Sequence, residues 1–147
     1  EGGLALGEQA VQKATGEALE RLSASGIRTS LFVDPDAKTL EISANLGVTA
    51  VELHTGEYAN ATDAQERDTQ LARLRDATQT AVGLGLAVHA GHGLTYENVT
   101  PVAAIARIEE LNIGHSIVSR AVFVGMERAV REMSDLIHVA RSGVVVL

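Results

Sequence analysis

The chain has 147 residues, 46% of them hydrophobic and only 3% aromatic, with a formal charge of -7 and no cysteine. This is enough for one core built from Ala, Val, Leu and Ile, and it excludes a disulfide framework and thiolate metal sites. The acidic balance, without a Lys/Arg cluster, works against a nucleic-acid partner, whose affinity comes from neutralising phosphates. No apolar run approaches the roughly 18 residues of a membrane span. The opening "EGGLALGEQ" shows neither the basic nor the apolar part of a signal peptide, so the expected setting is the cytoplasm, with no membrane partner.

Along the chain, stretches of helical period alternate with short runs rich in branched residues. Residues 8–26, "EQAVQKATGEALERLSASG", carry apolar side chains three and four apart, and "TSLFVD" (29–34) follows as a first strand. A helix over "PDAKTLEISANLG" leads to a second strand, "TAVELHTG" (49–56). The long helical stretch "DAQERDTQLARLRDATQTAVGLG" precedes a third, "LAVHAGHG" (86–93). "TPVAAIARIEE" predicts a further helix before a fourth strand, "LNIGHSIV" (111–118), and "FVGMERAVREMSDLIHVARSG" predicts the last helix. Asp34 before Pro35 and Thr100 before Pro101 read as N-caps with proline in the first turn. Gly26, Gly47 and Gly85 fall where a helix should close in a left-handed residue. Strands separated by helices need crossover connections, which predicts a parallel sheet in a single domain.

Ligands of such sheets bind at the carboxyl ends of the strands, where the polar residues of this chain collect. Asp34 ends the first strand, Glu52, His54 and Thr55 the second, His89 and His92 the third, and His115 and Ser116 the fourth. Alternation along a strand puts Glu52 and His54 on one face and Val51 and Leu53 on the other. "GHG" (91–93) and "IGHS" (113–116) bring glycines to successive strand ends, where bare backbone amides can approach an anion, and a helix starting after Gly114 would add its field. A histidine between such glycines could touch the anion and move a proton. Gly91 and Gly93 could equally form only a turn, and His54 and His89 could be satisfied structural histidines. Glu52, inside an apolar run, needs either an active site or a buried polar network. His138 reads as a surface or interface residue. Asp63, Glu66, Arg67 and Arg73 read as a solvated helical face, and no His/carboxylate spacing matches a metal-binding helix.

The segments "SLFVDPD", "VELHTGEYA", "VHAGHGLTYENV" and "ELNIGHSIVSRAVFVGMERAV", in this order and spacing, closely resemble pyridoxine 5'-phosphate synthase, a family of vitamin B6 biosynthesis. The likeness runs from "EGGL" to about Arg141 and leaves out the ending "SGVVVL". It implies a TIM (β/α)8 barrel, of which residues 1–147 supply the second half, strands five to eight, with the N-terminal half absent. It also implies condensation of 3-amino-2-oxopropyl phosphate with 1-deoxy-D-xylulose 5-phosphate to pyridoxine 5'-phosphate, phosphate and water. The resemblance further implies that no metal or organic cofactor is needed and that the enzyme is a homo-oligomer, typically an octamer.

By motif, the resemblance makes His92 the proton donor and Glu52 a carboxylate stabilising the transition state. It makes Gly93, Gly114 and His115 the site of the amino-ketone phosphate. His89 departs from the family's usual Asn ahead of "AGHG", which changes the hydrogen-bond inventory there. Another catalytic His and Glu are expected on the absent half, so this chain alone should be incomplete. Two other readings are a flavodoxin-like module holding an anion without catalysis and another phosphate-binding barrel isomerase.

Overall fold

A computed structural model describes residues 2–142. Helix α1 (Gln9–Ala24) is followed by strand β1 (Ser30–Val33), α2 (Ala37–Asn45), β2 (Ala50–His54), α3 (Gly56–Asn60) and α4 (Ala64–Gly83). Then come β3 (Ala87–Gly91), α5 (Val99–Ala103), β4 (Ile108–Asn112), α6 (His115–Val124) and α7 (Met126–Ser142). The four strands form one parallel sheet in chain order β1-β2-β3-β4. A flavodoxin-like sheet runs 2-1-3-4-5 and reverses direction at a switch point. No reversal occurs here, so the module alternative has no topological counterpart in the described residues.

Crossovers of one hand that always step to the next strand deliver their helices to the same side. The buried face follows: Leu31, Val33, Val51, Leu53, Val88 and Ala90 pack with Leu40, Leu71, Leu74, Ala77, Ala81, Val102 and Ile105 in one aliphatic core. The opposite face carries Ser30, Phe32, Glu52, His89 and Glu110, all exposed or half-buried. Residues 3–6 lie along the outer edge of β1. Leu4 N–H donates to the Phe32 carbonyl at 2.8 Å, Gly3 N–H donates to Asp34 Oδ1 at 3.0 Å, and Leu6 is buried.

Several expected boundaries move. The fourth strand lies at Ile108–Asn112, not 111–118, and only the first four residues of "TPVAAIARIEE", Thr100–Ala103, are helical, as part of α5. β4 is an edge strand with exposed Glu109, Glu110 and Asn112, so it lacks the apolar signature that marks a central strand. Its register with β3 slips at Val88/His89, a local irregularity of the bulge kind. The branched residues of "SIVSRAVFV" belong to α6, where tertiary context overrides their strand preference. The last helical stretch is therefore two helices, parted at Gly125, whose φ is +84°.

The capping expectation at Asp34 is also corrected: Asp36 caps α2, accepting from Thr39 N–H at 3.0 Å. Thr100 lies inside α5 behind Asn98, whose side chain accepts from Thr95 N–H at 2.7 Å. Asp63 caps α4 and accepts from Glu66 N–H at 2.8 Å, while Glu66 Oε2 accepts from Thr62 N–H at 2.8 Å, a reciprocal pattern that satisfies two amides. Gly26, Gly47 and Gly85 do adopt positive φ after their helices.

Helix α7 seats the C-terminal part. Tyr96 Oη donates to the Ala129 carbonyl at 2.9 Å, Arg141 donates to the Ile105 and Ile108 carbonyls, and Ala129 and Met133 are buried. One carboxylate, Glu132, joins Arg120 of α6 (2.9 Å) to Arg128 of α7 (2.8 Å), and the two guanidiniums hold its pKa below the usual carboxylate value. His138 is exposed, as expected. Residues 143–147 of the ending lie outside the described residues. Leu53→Ala, in the centre of the buried face, is expected to lower unfolding free energy by about 2–5 kcal/mol, read from urea denaturation.

Candidate active site

The carboxyl ends of β1 to β4 open on one side into a pocket of about 540 Å³. Phe32, Glu52, His92, Gly93, Asn112 and Gly114 line it, with His115, Ser116 and Ser119 of α6. Five of the residues singled out from the sequence, Glu52, His92, Gly93, Gly114 and His115, therefore share one cavity.

The β2–β3 seam holds it in shape. Beyond the last register pair, His54–Gly91, Thr55 N–H donates to the Gly91 carbonyl at 2.9 Å. The buried Thr55 hydroxyl lies 2.8 Å from the Gly91 carbonyl oxygen and 2.5 Å from that of His92, its one proton shared between them. The clamp holds His92 at φ +82°, a left-handed conformation uncommon for a residue with a Cβ. Such strain persists where surrounding contacts over-determine it, and it concentrates at functional sites.

Glu52 projects from mid-strand onto the uncovered face. Its Oε2 accepts from Asn112 Nδ2 at 2.8 Å. Gly91 makes room for it, since a Cβ there would lie 2.3 Å from Glu52 Oε1 and 2.9 Å from the Asn112 carbonyl oxygen. Gly91 is thus a clearance as well as a strand end. Burial raises the Glu52 pKa above 4.5; the Asn112 hydrogen bond and the nearby His89 and His92 oppose that rise, and Glu110 adds to it. In register, His89 of β3 stands between Glu52 of β2 and Glu110 of β4, so His89 is part of the electrostatic setting of Glu52.

Opposite Glu52, α6 begins at His115 behind Gly114, and no side chain caps its first turn. The first-turn amides of such a terminus and the helix field favour negative charge. Ser116 Oγ donates to the Leu94 carbonyl at 2.8 Å, tying this terminus to the loop after β3. Gly93 takes φ +77° in that loop, and a Cβ there would meet Ala59 Cβ at 2.7 Å.

The other polar residues sit beside this cavity. Asp34, His54, Glu57, Tyr58 and Arg73 line a smaller recess of about 40 Å³. Arg73 is not merely a solvated residue: its Nε donates to the Pro35 carbonyl at 3.1 Å and its Nη1 pairs with Glu57 at 3.0 Å. Sequence reasoning missed Asn112 because the fourth strand was drawn too late, which hid that Asn112 ends it. Phe32 and Ser119 were also missed, as ordinary residues of apolar runs. Among the described residues, no group of three or more His, Cys, Asp or Glu is arranged to hold a metal ion, and no helix is long and apolar enough to cross a membrane.

Residues 1–139 match the family described as pyridoxal phosphate biosynthesis protein PdxJ. The chain belongs to the PdxJ family. Curated relatives named pyridoxine 5'-phosphate synthase include that of Syntrophotalea carbinolica, 52% identical over 93% of this chain and 56% of the relative. Those of two Synechococcus strains are 58% identical over 77% of this chain and 47% of the relative, and 54% identical over 94% and 54%. The chain spans about half the length of the PdxJ relatives it matches. Among solved structures, the Amycolatopsis orientalis BexX/CysO complex has a chain of similar fold, with a TM-score of 0.56 at 17% identity, over 91% of this chain and 52% of that one.

Because the Glu52 carboxyl is raised in the folded state, the fold takes up its proton more readily than the unfolded chain does. Its contribution to stability is therefore full below the unfolded pKa of about 4.5 and is lost as pH rises through the folded value. Urea midpoints compared between wild type and Glu52→Gln across pH 4 to 8 should show wild type losing ground to the variant as pH rises.

Proposed function

We propose that this chain supplies the second half of a (β/α)8 barrel that acts as pyridoxine 5'-phosphate synthase, condensing 3-amino-2-oxopropyl phosphate with 1-deoxy-D-xylulose 5-phosphate. The observation that carries this reading is the single pocket shared by His92, Glu52 and the two glycine-bearing strand ends, in a chain of the PdxJ family. The barrel reading is supported by the chain-order parallel sheet, its one uncovered face and the coverage of about half of each relative. It is also supported by the apolar surface on α6 and α7, where Phe123 is 84% and Val122 78% exposed. Residues 1–147 are then the C-terminal part of one domain, incomplete alone. The assembled enzyme is a cytoplasmic homo-octamer that needs no metal or organic cofactor.

Each residue has a chemical task. The amides around Gly93, Gly114 and His115 hold the amino-ketone phosphate, which keeps the reacting carbons in place during the condensation. His92 faces the same cavity and delivers a proton to departing oxygen. Glu52, raised by burial and steadied by Asn112, stabilises positive charge that develops as amine and ketone join and water leaves.

Co-expression of this chain with the complementary N-terminal half of a PdxJ relative, followed by assay of pyridoxine 5'-phosphate from the two substrates, tests the proposal. Activity is expected only when both halves are present. His92→Ala and Glu52→Gln should each lower kcat by roughly 10²- to 10⁴-fold. Turnover unchanged in both variants would remove the chemistry from this pocket.

A further inference from the structure

His54 is more than nine-tenths buried, yet one of its two ring nitrogens has no hydrogen-bond partner among the described residues. Nδ1 lies 3.2 Å from Asp34 Oδ1, so with a carboxylate there Nδ1 carries the proton and Nε2 is left with a lone pair. Nε2 is buried and has no hydrogen-bond partner among the described residues. A buried acceptor left without a donor is destabilising, and such a group calls for an explanation.

The geometry around it supplies one. The rings of His54 and His92 have centroids 4.9 Å apart, tilted by 53°. Two imidazoles joined by an N–H···N bond of ordinary length have centroids about 5 Å apart. The space between them is kept open by Gly56: a Cβ there would lie 2.5 Å from His54 Nε2 and 3.2 Å from His92 Cδ2. A half-turn of the His92 ring about its Cβ–Cγ bond exchanges Cδ2 for Nδ1, which brings a ring N–H to the edge where Cδ2 now sits. Phe32 packs edge-on against His54, with centroids 5.2 Å apart, and its ring also lies 6.4 Å from that of His92, so the three rings form a triangle that limits rotation of His54.

We propose that His54 is the positioning residue of His92: Asp34 takes the His54 Nδ1–H, and His54 Nε2 accepts a ring N–H of His92 when a phosphate anion occupies the neighbouring pocket. The proposal rests on the reading of that pocket as a phosphate site. A protonated His92 has two N–H groups. One meets the anion and the other meets His54, so both ring N–H groups are engaged and the ring is held in one orientation. Asp34 is itself fixed by Gly3 N–H at 3.0 Å, giving an unbroken line from the edge of β1 to the end of β3. Nothing in this line touches the reacting atoms except His92.

The test is nitrogen-15 NMR of the 147-residue chain, histidine-labelled and titrated with inorganic phosphate. In the loaded chain, His54 is expected to carry its proton on Nδ1, and a scalar coupling is expected across His92 N–H···Nε2 of His54. Gly56→Ala, which retains both histidines but drives a methyl group between their rings and so pushes them apart, should abolish the coupling and weaken phosphate binding on the order of tenfold. His54→Phe should do the same, and His54→Gln, which keeps an acceptor near the Nε2 position, should recover most of the affinity.

A His54 proton on Nε2, or no coupling while the Gly93 and Gly114 amides report bound phosphate, overturns the proposal. Should His54→Phe fail to unfold cooperatively, the wild-type coupling and Gly56→Ala decide. Amides that phosphate leaves unmoved would overturn the phosphate site itself; the pairing is then judged in the unloaded chain, where Nδ1–H supports it and Nε2–H overturns it.

Discussion

Where β2 meets β3, five parallel register pairs run from Ala50–Ala87 to His54–Gly91, and Thr55 carries the seam one residue further with its amide and hydroxyl. This seam aligns the ends of two strands that each carry a histidine, and it bends His92 into a conformation its Cβ resists. A parallel ladder can do this because all its strands end on the same side; an antiparallel neighbour would send its carboxyl end to the opposite rim. The pocket and the ring pair both follow from the shared rim.

The site depends as much on what is absent as on what is present. Gly91 lacks the Cβ that would meet the Glu52 carboxylate, and Gly56 lacks the one that would separate two imidazoles. Both are tight approaches made by backbone that needs no unusual φ, so they answer to packing. Gly93 combines both demands, with a positive φ and a close neighbour in Ala59. At α6, the helix terminus beginning behind Gly114 is not capped by a side chain.

Electrostatics on the uncovered face follow from the register. Glu52, His89 and Glu110 lie side by side on adjacent strands, and burial works on Glu52 against an amide donor and two imidazoles. The result is a carboxyl raised above its ordinary value. Such a group suits the acid–base role proposed for it, since general acid–base catalysis near neutral pH is served by a carboxyl whose pKa is raised.

Much of this was legible in the order of residues. Alternating apolar runs and helical periods declared a parallel α/β sheet, and period-two alternation assigned Val51 and Leu53 to the core and Glu52 to the other face. The glycines of "GHG" and "IGHS" marked the rim, because backbone that must approach an anion excludes a Cβ. Local reading failed at β4, whose edge position let Glu109 and Glu110 stand where a central strand would carry aliphatics, and at α6, whose branched residues imitate a strand. It also failed at Asp34, which reads as a cap by its place before proline but turns instead to Gly3 and His54. Sequence alone thus determined the alternation of strand and helix through β3 and the chemistry available, since those are set by neighbours along the chain. Only the tertiary structure decided that Asn112 serves Glu52, that Gly56 opens the gap between two rings, and that His54 buries a nitrogen beside His92. Those relations join residues on different elements, and spacing along the chain carries no record of them.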